Sequence, residues 1–253
     1  MAHNLVNNDF QFIFNPDTVA WSLFSSQADG RYLEDVRMRL TYDLTGPAWL
    51  RAFRRRHDSL LDGTVVGLER SEQISPAHGK MEQLTVSLDA DPNGIVATLR
   101  FALPGDHPLF LWRIDLENRG PQPIDVDRLT LMRVGMFAGR DRIVAGKLLS
   151  RQDRASMAGR GAIRPHADPG ELAFFSQGWQ SWSHTGAFGP RDRYRNTRLG
   201  CLGAPMWYNP GTPRPRERGH FSSDMFGLLG DRDHRSGILA GFLSQKQHFG
   251  SLE

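Results

Sequence analysis

The sequence predicts an all-β chain built as a large antiparallel β-sandwich, and three features carry that expectation. Apolar residues recur with period two, clusters of Gly, Pro, Asn and Asp separate the alternating runs, and helical periodicity is scarce. Glycine and proline number 26 and 15, together 41 of 253 residues, against roughly 12% in an average protein. The excess marks a turn-rich chain.

Taken in order, Asp9 to Phe14 alternates, Asn15-Pro16-Asp17 turns, and Val19 to Phe24 resumes the pattern. Leu84, Val86 and Leu88 share one face of a strand, and Asp91-Pro92-Asn93-Gly94 is a strong turn signal. Ile95, Ala97, Leu99, Phe101 and Leu103 then repeat the alternation. After Pro104-Gly105-Asp106, the segment from Phe110 to Glu117 sets its large apolar groups at even positions with mostly charges between. Asn118-Arg119-Gly120-Pro121 turns the chain, and Ile124 to Val134 runs back. The expected result is a meander with one dry and one wet face. Lys147 to Met157 reads as one short helix, and Ala158 to Gly170 as a long surface loop within a single domain spanning residues 1–253. No alternation of strands with long helices appears, which excludes a Rossmann sheet or a (β/α) barrel as the fold of this chain.

Composition narrows the function classes. Near half of the residues are apolar when glycine is counted, and 23% are charged, which is a globular balance. No run approaches the ~18 to 20 apolar residues of a membrane helix, and the opening MAHNLVNNDF lacks a secretion signal. One cysteine, Cys201, excludes an internal disulfide framework and a cysteine-based zinc cluster. A cytoplasmic chain with no membrane partner is therefore expected. Lys80, Lys147 and Lys246 are the only lysines, so 28 of 31 basic residues are arginine. The densest basic run, Arg51 to His57, carries no recognition-helix or RNA-stacking motif, and no nucleic-acid partner is expected.

Most site classes find no support. The chain has no phosphate-binding loop, no dinucleotide fingerprint and no G-x-S-x-G elbow. His220, His234 and His248 come from separate segments and read as strand-end residues, so neither a metal nor a cofactor is expected. Cys201 reads as a packed thiol. One region differs. From Phe174 to Gly186 the chain gathers Trp179, Trp182, small polar residues and glycines. Residues three apart on a strand point to opposite faces, so one ring of this W-x-x-W pair should enter the core while the other faces a surface, partner or ligand. An indole plane is also what a sugar ring stacks on, with polar neighbours to take hydroxyls.

The segment Gln177-Gly-Trp179-Gln-Ser-Trp182-Ser resembles the N/G-W-Q-S-W signature of the N-terminal domain of microbial α-galactosidases of glycoside hydrolase family 36. Ser222-Ser223-Asp224-Met225-Phe226, then Ile238 to Lys246, resembles the family's S-D-x-F and G-F-L-S-x-K strands in the same order. The likeness is compact over Phe174 to Phe249 and diffuse before it. It implies an N-terminal β-supersandwich, followed in family members by a (β/α)₈ barrel and a small C-terminal β-domain. Family members cleave terminal α-galactosides with retention, using two barrel aspartates.

Neither the family's K-x-D motif nor its C-x-x-G-x-x-R stretch occurs here, so no catalytic residue carries over. One binding residue does: the second tryptophan of the signature closes over the galactose pocket in similar enzymes, and that position is Trp182. Trp179 then becomes the packed partner. The resemblance also implies further strands and a barrel after Glu253, so the chain reads as truncated before its catalytic domain. Its implied roles are support of the barrel, homo-oligomer contacts and one aromatic wall of an α-galactoside site. Two rivals stay open. One is a self-sufficient carbohydrate-binding sandwich using Trp182 and Trp207-Tyr208. The other is an aldose-epimerase-like enzyme, for which no convincing His/Glu pair is evident.

Overall fold

The computed structural model describes residues 2–26, 31–45, 56–133, 143–144, 147–148, 172–178, 183–194, 218–231, 236–243 and 250–252. The chain divides into two compact units, residues 1–163 and 164–253. All regular structure among the described residues is strand, and every pairing is antiparallel.

The first unit contains β1 (His3–Val6), β2 (Phe10–Asn15), β3 (Ala20–Ser25), β4 (Arg31–Leu44), β5 (Arg56–Leu60) and β6 (Val65–Ser75). After these come β7 (Gly79–Leu88), β8 (Ile95–Pro104), β9 (Leu111–Asn118), β10 (Ile124–Arg133), β11 (Ile143–Val144) and β12 (Lys147–Leu148). One sheet has the order β1-β2-β3-β4-β10, with β5 also on β4; the second runs β6-β7-β8-β9. The alternation predicted for each strand selects the buried face. Phe12 and Phe14 from the first sheet meet Phe101 of the second at ring distances of 4.8 and 5.8 Å. Leu84, Val86, Leu88, Ile95, Ala97, Leu99 and Leu103 complete the same core. Two sheets thus close on one apolar layer, which is a β-sandwich.

The long strand β4 turns its sheet. Its first half pairs with β3 and its second with β10 and β5, and the register breaks beside Asp35, a non-glycine residue at φ 50° whose N–H donates to Ser22 Oγ at 3.0 Å. A bulge of this kind bends a strand and raises its twist.

Two local expectations are corrected. The returning strand β10 pairs with β4 and not with its chain neighbour β9, so the meander ends at β9. Pro121 and Pro123 lie in the connection and offer no N–H for a tight hairpin there, and the chain crosses to the other sheet. Lys147 and Leu148, placed in a short helix from sequence, pair as β12 with Val144 and Ile143 of β11. Two β-branched residues opposite them favour an extended pair over a helical turn. Residues 149–157 of that expected helix, and the expected loop from Ala158 to Gly170, lie outside the described residues.

The second unit contains β13 (Leu172–Ser176), β14 (Gly186–Phe188), β15 (Ser223–Asp224), β16 (Phe226–Asp231), β17 (Ser236–Gly241) and β18 (Ser251–Leu252). A four-stranded sheet runs β14-β13-β16-β17, and β15 pairs with β18. One face of that sheet carries Phe174 and Phe188, both packed on Phe221. The other carries Phe175, Phe226, Leu228 and Leu239 in adjacent register positions, and the last three are exposed.

Candidate functional site

Trp179 and Trp182 lie in residues 179–182, outside the described residues, as do Cys201, Trp207, Tyr208, His234 and His248. The frame on which the signature is mounted is described on both sides. Gly178 and Ser183 lie against each other: a Cβ added at 178 would fall 2.1 Å from Ser183 Cβ. No side chain fits in that space, which is why the residue before the first tryptophan is glycine. The two arms are cross-tied. Gly178 N–H donates to Thr185 Oγ1 at 3.0 Å, and Ser176 Oγ lies 3.0 Å from the carbonyl of His184.

The second motif docks on the first. Gln177 N–H donates to Ser223 Oγ at 2.7 Å, and Asp224 N–H donates to the Gln177 carbonyl at 2.8 Å. The Ser223 hydroxyl also reaches the carbonyl of Phe226. Ser222, Ser223 and Asp224 are all buried. The third motif is held in turn, through the pairing of Phe226 with Gly241 and the bond from Phe242 N–H to the Met225 carbonyl at 2.9 Å. Met225, a non-glycine residue at φ 67°, makes the sharp step between β15 and β16 that lets both contacts form. Gln177 and Ser223, 46 residues apart in sequence, therefore join with the Phe226–Gly241 pairing as one hydrogen-bonded unit.

Tyr194 ties this unit together. Its ring stacks on His184 at 4.3 Å with planes 6° apart, and meets Phe188 and Phe221 edge-on at 4.9 and 5.4 Å. Its hydroxyl lies 2.5 Å from the Ser222 carbonyl and 2.7 Å from Ser176 Oγ. The Tyr194 hydroxyl can donate to Ser176 Oγ or to the Ser222 carbonyl, and Ser176 Oγ in turn to the carbonyl of Ser222 or of His184, so the two hydroxyls serve both carbonyls. A turn tied by Gly189 N–H to Asp192 Oδ2 at 2.8 Å carries the chain to Tyr194. Burial lowers the pKa of His184 below its ordinary value, so the ring is held neutral against Tyr194. Ser183 Oγ is buried with no hydrogen-bond partner among the described residues.

Sequence reading missed Tyr194, Thr185 and Phe221. The available signal for Tyr194 was an aromatic residue isolated in the charged run Arg191-Asp-Arg-Tyr-Arg195, where solvent exposure of the ring would have no benefit.

The first unit offers a separate cleft of about 260 Å³, lined by Leu40, Leu61, Asp62, Thr64, Asp91 and Ile95 among others. Its Asp91 carboxylate is fully engaged by Tyr42 and by the backbone of its own turn. Desolvation raises the pKa of Asp62, with Arg37 opposing the shift. Among the described residues its lining includes Asp62, Asp89 and Asp91 but neither His nor Glu. Among the described residues no group of three or more His, Cys, Asp or Glu could hold a metal, and no helix is long and apolar enough to cross a membrane. No family model, curated protein or solved structure matches the chain.

Proposed function

We propose that this chain is the non-catalytic N-terminal β-sandwich domain of an α-galactosidase-like glycoside hydrolase of carbohydrate metabolism. In this reading it braces a (β/α)₈ barrel that carries the two catalytic aspartates, and Trp182 forms an aromatic wall of the galactose pocket. The observation that supports it most is the meeting of motif segments. Gln177 bonds to Ser223 and Asp224, and Phe226 pairs with Gly241, so the three stretches of resemblance occupy one element instead of scattered surface. The packing of Gly178 against Ser183 also holds the two residues that flank the signature tryptophans at one fixed separation. A single cysteine in 253 residues fits a cytoplasmic enzyme.

The chain has no K-x-D motif, so the isolated protein should not turn over nitrophenyl α-galactoside. The test is complementation. The chain is joined to the barrel of a family 36 α-galactosidase whose own N-terminal domain has been removed. Recovered hydrolysis that Trp182→Ala weakens, with the fold retained, supports the reading. A soluble fusion without activity, or one indifferent to Trp182→Ala, overturns it. Tight galactose binding by the isolated chain would favour a self-sufficient carbohydrate-binding sandwich.

A further inference from the structure

The turn between β7 and β8 contains Asn93-Gly94, the one Asn-Gly pair in the chain. Such a pair is chemically labile, because a glycine amide has no side chain to hinder its attack on the preceding carboxamide. Here the folded turn opposes that attack at several points. Gly94 sits at φ 85°, and its N–H donates to the Asp91 carbonyl at 2.9 Å. Asn93 N–H donates to Asp91 Oδ1 at 2.9 Å. The Asn93 carboxamide is held by Tyr42: Nδ2 donates to the phenolic oxygen at 2.6 Å, while the single phenolic proton goes to Asp91 Oδ2 at 2.5 Å. Tyr42 is fully buried, and burial with the Asp91 bond pushes its hydroxyl up to about 12, so it stays protonated in mild alkali.

The turn is also boxed in by its neighbour. A Cβ at Gly120 would lie 2.0 Å from the Asn93 carbonyl oxygen, and one at Gly94 would lie 2.6 Å from Gly120 N. Arg119 N–H closes the contact on the Gly94 carbonyl at 2.9 Å. The turn therefore meets the Gly120 backbone with no space for an added carbon at Gly94 or Gly120.

We propose that Asn93 is a spontaneous deamidation site that the fold guards through Tyr42 and Gly120, and that its conversion irreversibly removes the first unit from its native state. In the step, Gly94 N forms a bond to Asn93 Cγ, the Cγ–Nδ2 bond breaks, and ammonia leaves with the amide proton. Water then opens the succinimide to aspartate or isoaspartate, with no other reactant. Attack requires Gly94 N–H to release Asp91 and the Asn93 carboxamide to leave Tyr42, so the turn must open first. Neither product fits on reclosing. Isoaspartate adds a methylene to the main chain against Gly120, and aspartate sets a second carboxylate on Tyr42, whose one proton Asp91 already takes.

The full chain is incubated at 37 °C in mildly alkaline buffer, with and without concentrated urea. Conversion is followed by peptide mapping, as a one-dalton gain and as isoaspartate. Conversion in native buffer should be at least about tenfold slower than in urea, in keeping with attack limited to the open turn. Tyr42→Phe keeps the ring and should speed native conversion, and protein converted in urea should stay protease-sensitive after the urea is removed. Equal rates with and without urea overturn the proposal, as does full recovery of protease resistance by isoaspartate-bearing chains. If Tyr42→Phe fails to fold, the wild-type comparison alone decides.

Discussion

The two units reach order by different routes. In the first, two sheets cover each other, and Phe12, Phe14, Trp21 and Phe101 are at most 1% exposed. Its ion pairs Arg70–Glu82, Arg100–Asp115 and Arg119–Glu117 are surface pairs of small energetic value, and its buried Tyr42 is hydrogen-bonded to Asp91 and Asn93 of one turn. In the second, one sheet face packs on Phe221 while the other leaves Leu228 and Leu239 exposed, and the buried hydroxyls of Ser176 and Ser223 with the half-buried one of Tyr194 tie the strands together. Apolar burial tolerates substitution where volume is kept, whereas a chain of directed hydrogen bonds fixes particular atoms.

The sharpest separation comes from deleting a core ring. Trp21 is 1% exposed and lies within 6.2 Å of Phe12, Phe101, Phe110 and Trp112. Trp21→Ala should cost roughly 3 to 5 kcal/mol, read from urea melts. Trp21→Phe should cost clearly less, since the indole N–H has no partner among the described residues and its loss leaves no acceptor stranded. A cost for Trp21→Ala below about 1 kcal/mol, the range of surface changes, would mean that this core is not what holds the first unit.

In the second unit the equivalent weak point is a missing side chain. Gly178→Ala brings Cβ to 2.1 Å from Ser183 Cβ, too close for any rotamer change to relieve. Overpacking of this kind costs typically 1 to 3 kcal/mol, about half the effect of emptying the first core. The loss should localise to the second unit, as faster amide exchange at Gln177 and Thr185 with the β7 and β8 amides unchanged. Exchange that rises equally in both units would erase the distinction drawn here.

The same contrast governs what could be read in advance. Period-two alternation found β2, β3, β7, β8 and β9 because each buries one face in a single apolar layer, and one residue of slip would expose the whole set. Partner choice was not legible in that way. β10 reads as a hairpin return from β9, but alternation says only which face is buried, and the sheet change rests on prolines 121 and 123 and the Gly120 packing. In the second unit the signature stretches stood out by composition, yet the residue that binds them did not. Tyr194 contributes through a hydroxyl and a ring face to segments 18 and 28 residues away, and neither contact leaves a periodic trace.

Acid should separate the units more gently. Burial depresses the pKa of His184, so the folded ring stays neutral at a pH where the unfolded chain has bound a proton. Proton uptake by the unfolded state alone lowers stability. The contribution of His184 is therefore complete above its unfolded value near 6.5 and is lost as pH falls from there through the lower folded value. Urea midpoints read from second-unit probes should fall over that interval, and His184→Gln should flatten the slope. A midpoint that rises on acidification would reverse the sign of the burial effect.

The smallest effect on stability should come from the exposed face. β17, Ser236-Gly-Ile-Leu-Ala-Gly241, has no charge and no proline, and among the described strands it pairs only with β16. Edge strands commonly carry charge, proline or bulges that discourage pairing with another chain, and β6 in the first unit shows this with Glu69, Arg70, Glu72 and a bulge near Val65. Leu239 is 68% exposed and directly opposite Leu228, so the strand offers an apolar row beside backbone groups that no other described strand pairs with. Leu239→Lys puts an ammonium at the middle of that row while removing little buried area. Stability should change by less than about 0.5 kcal/mol, as exposed substitutions usually do. Self-association, read as weight-average mass by sedimentation across a concentration series, should fall because two copies would now bring like charges together. If wild type and Leu239→Lys sediment alike, β17 is not a pairing edge, and the two units differ in how they are held together without differing in how they meet other chains.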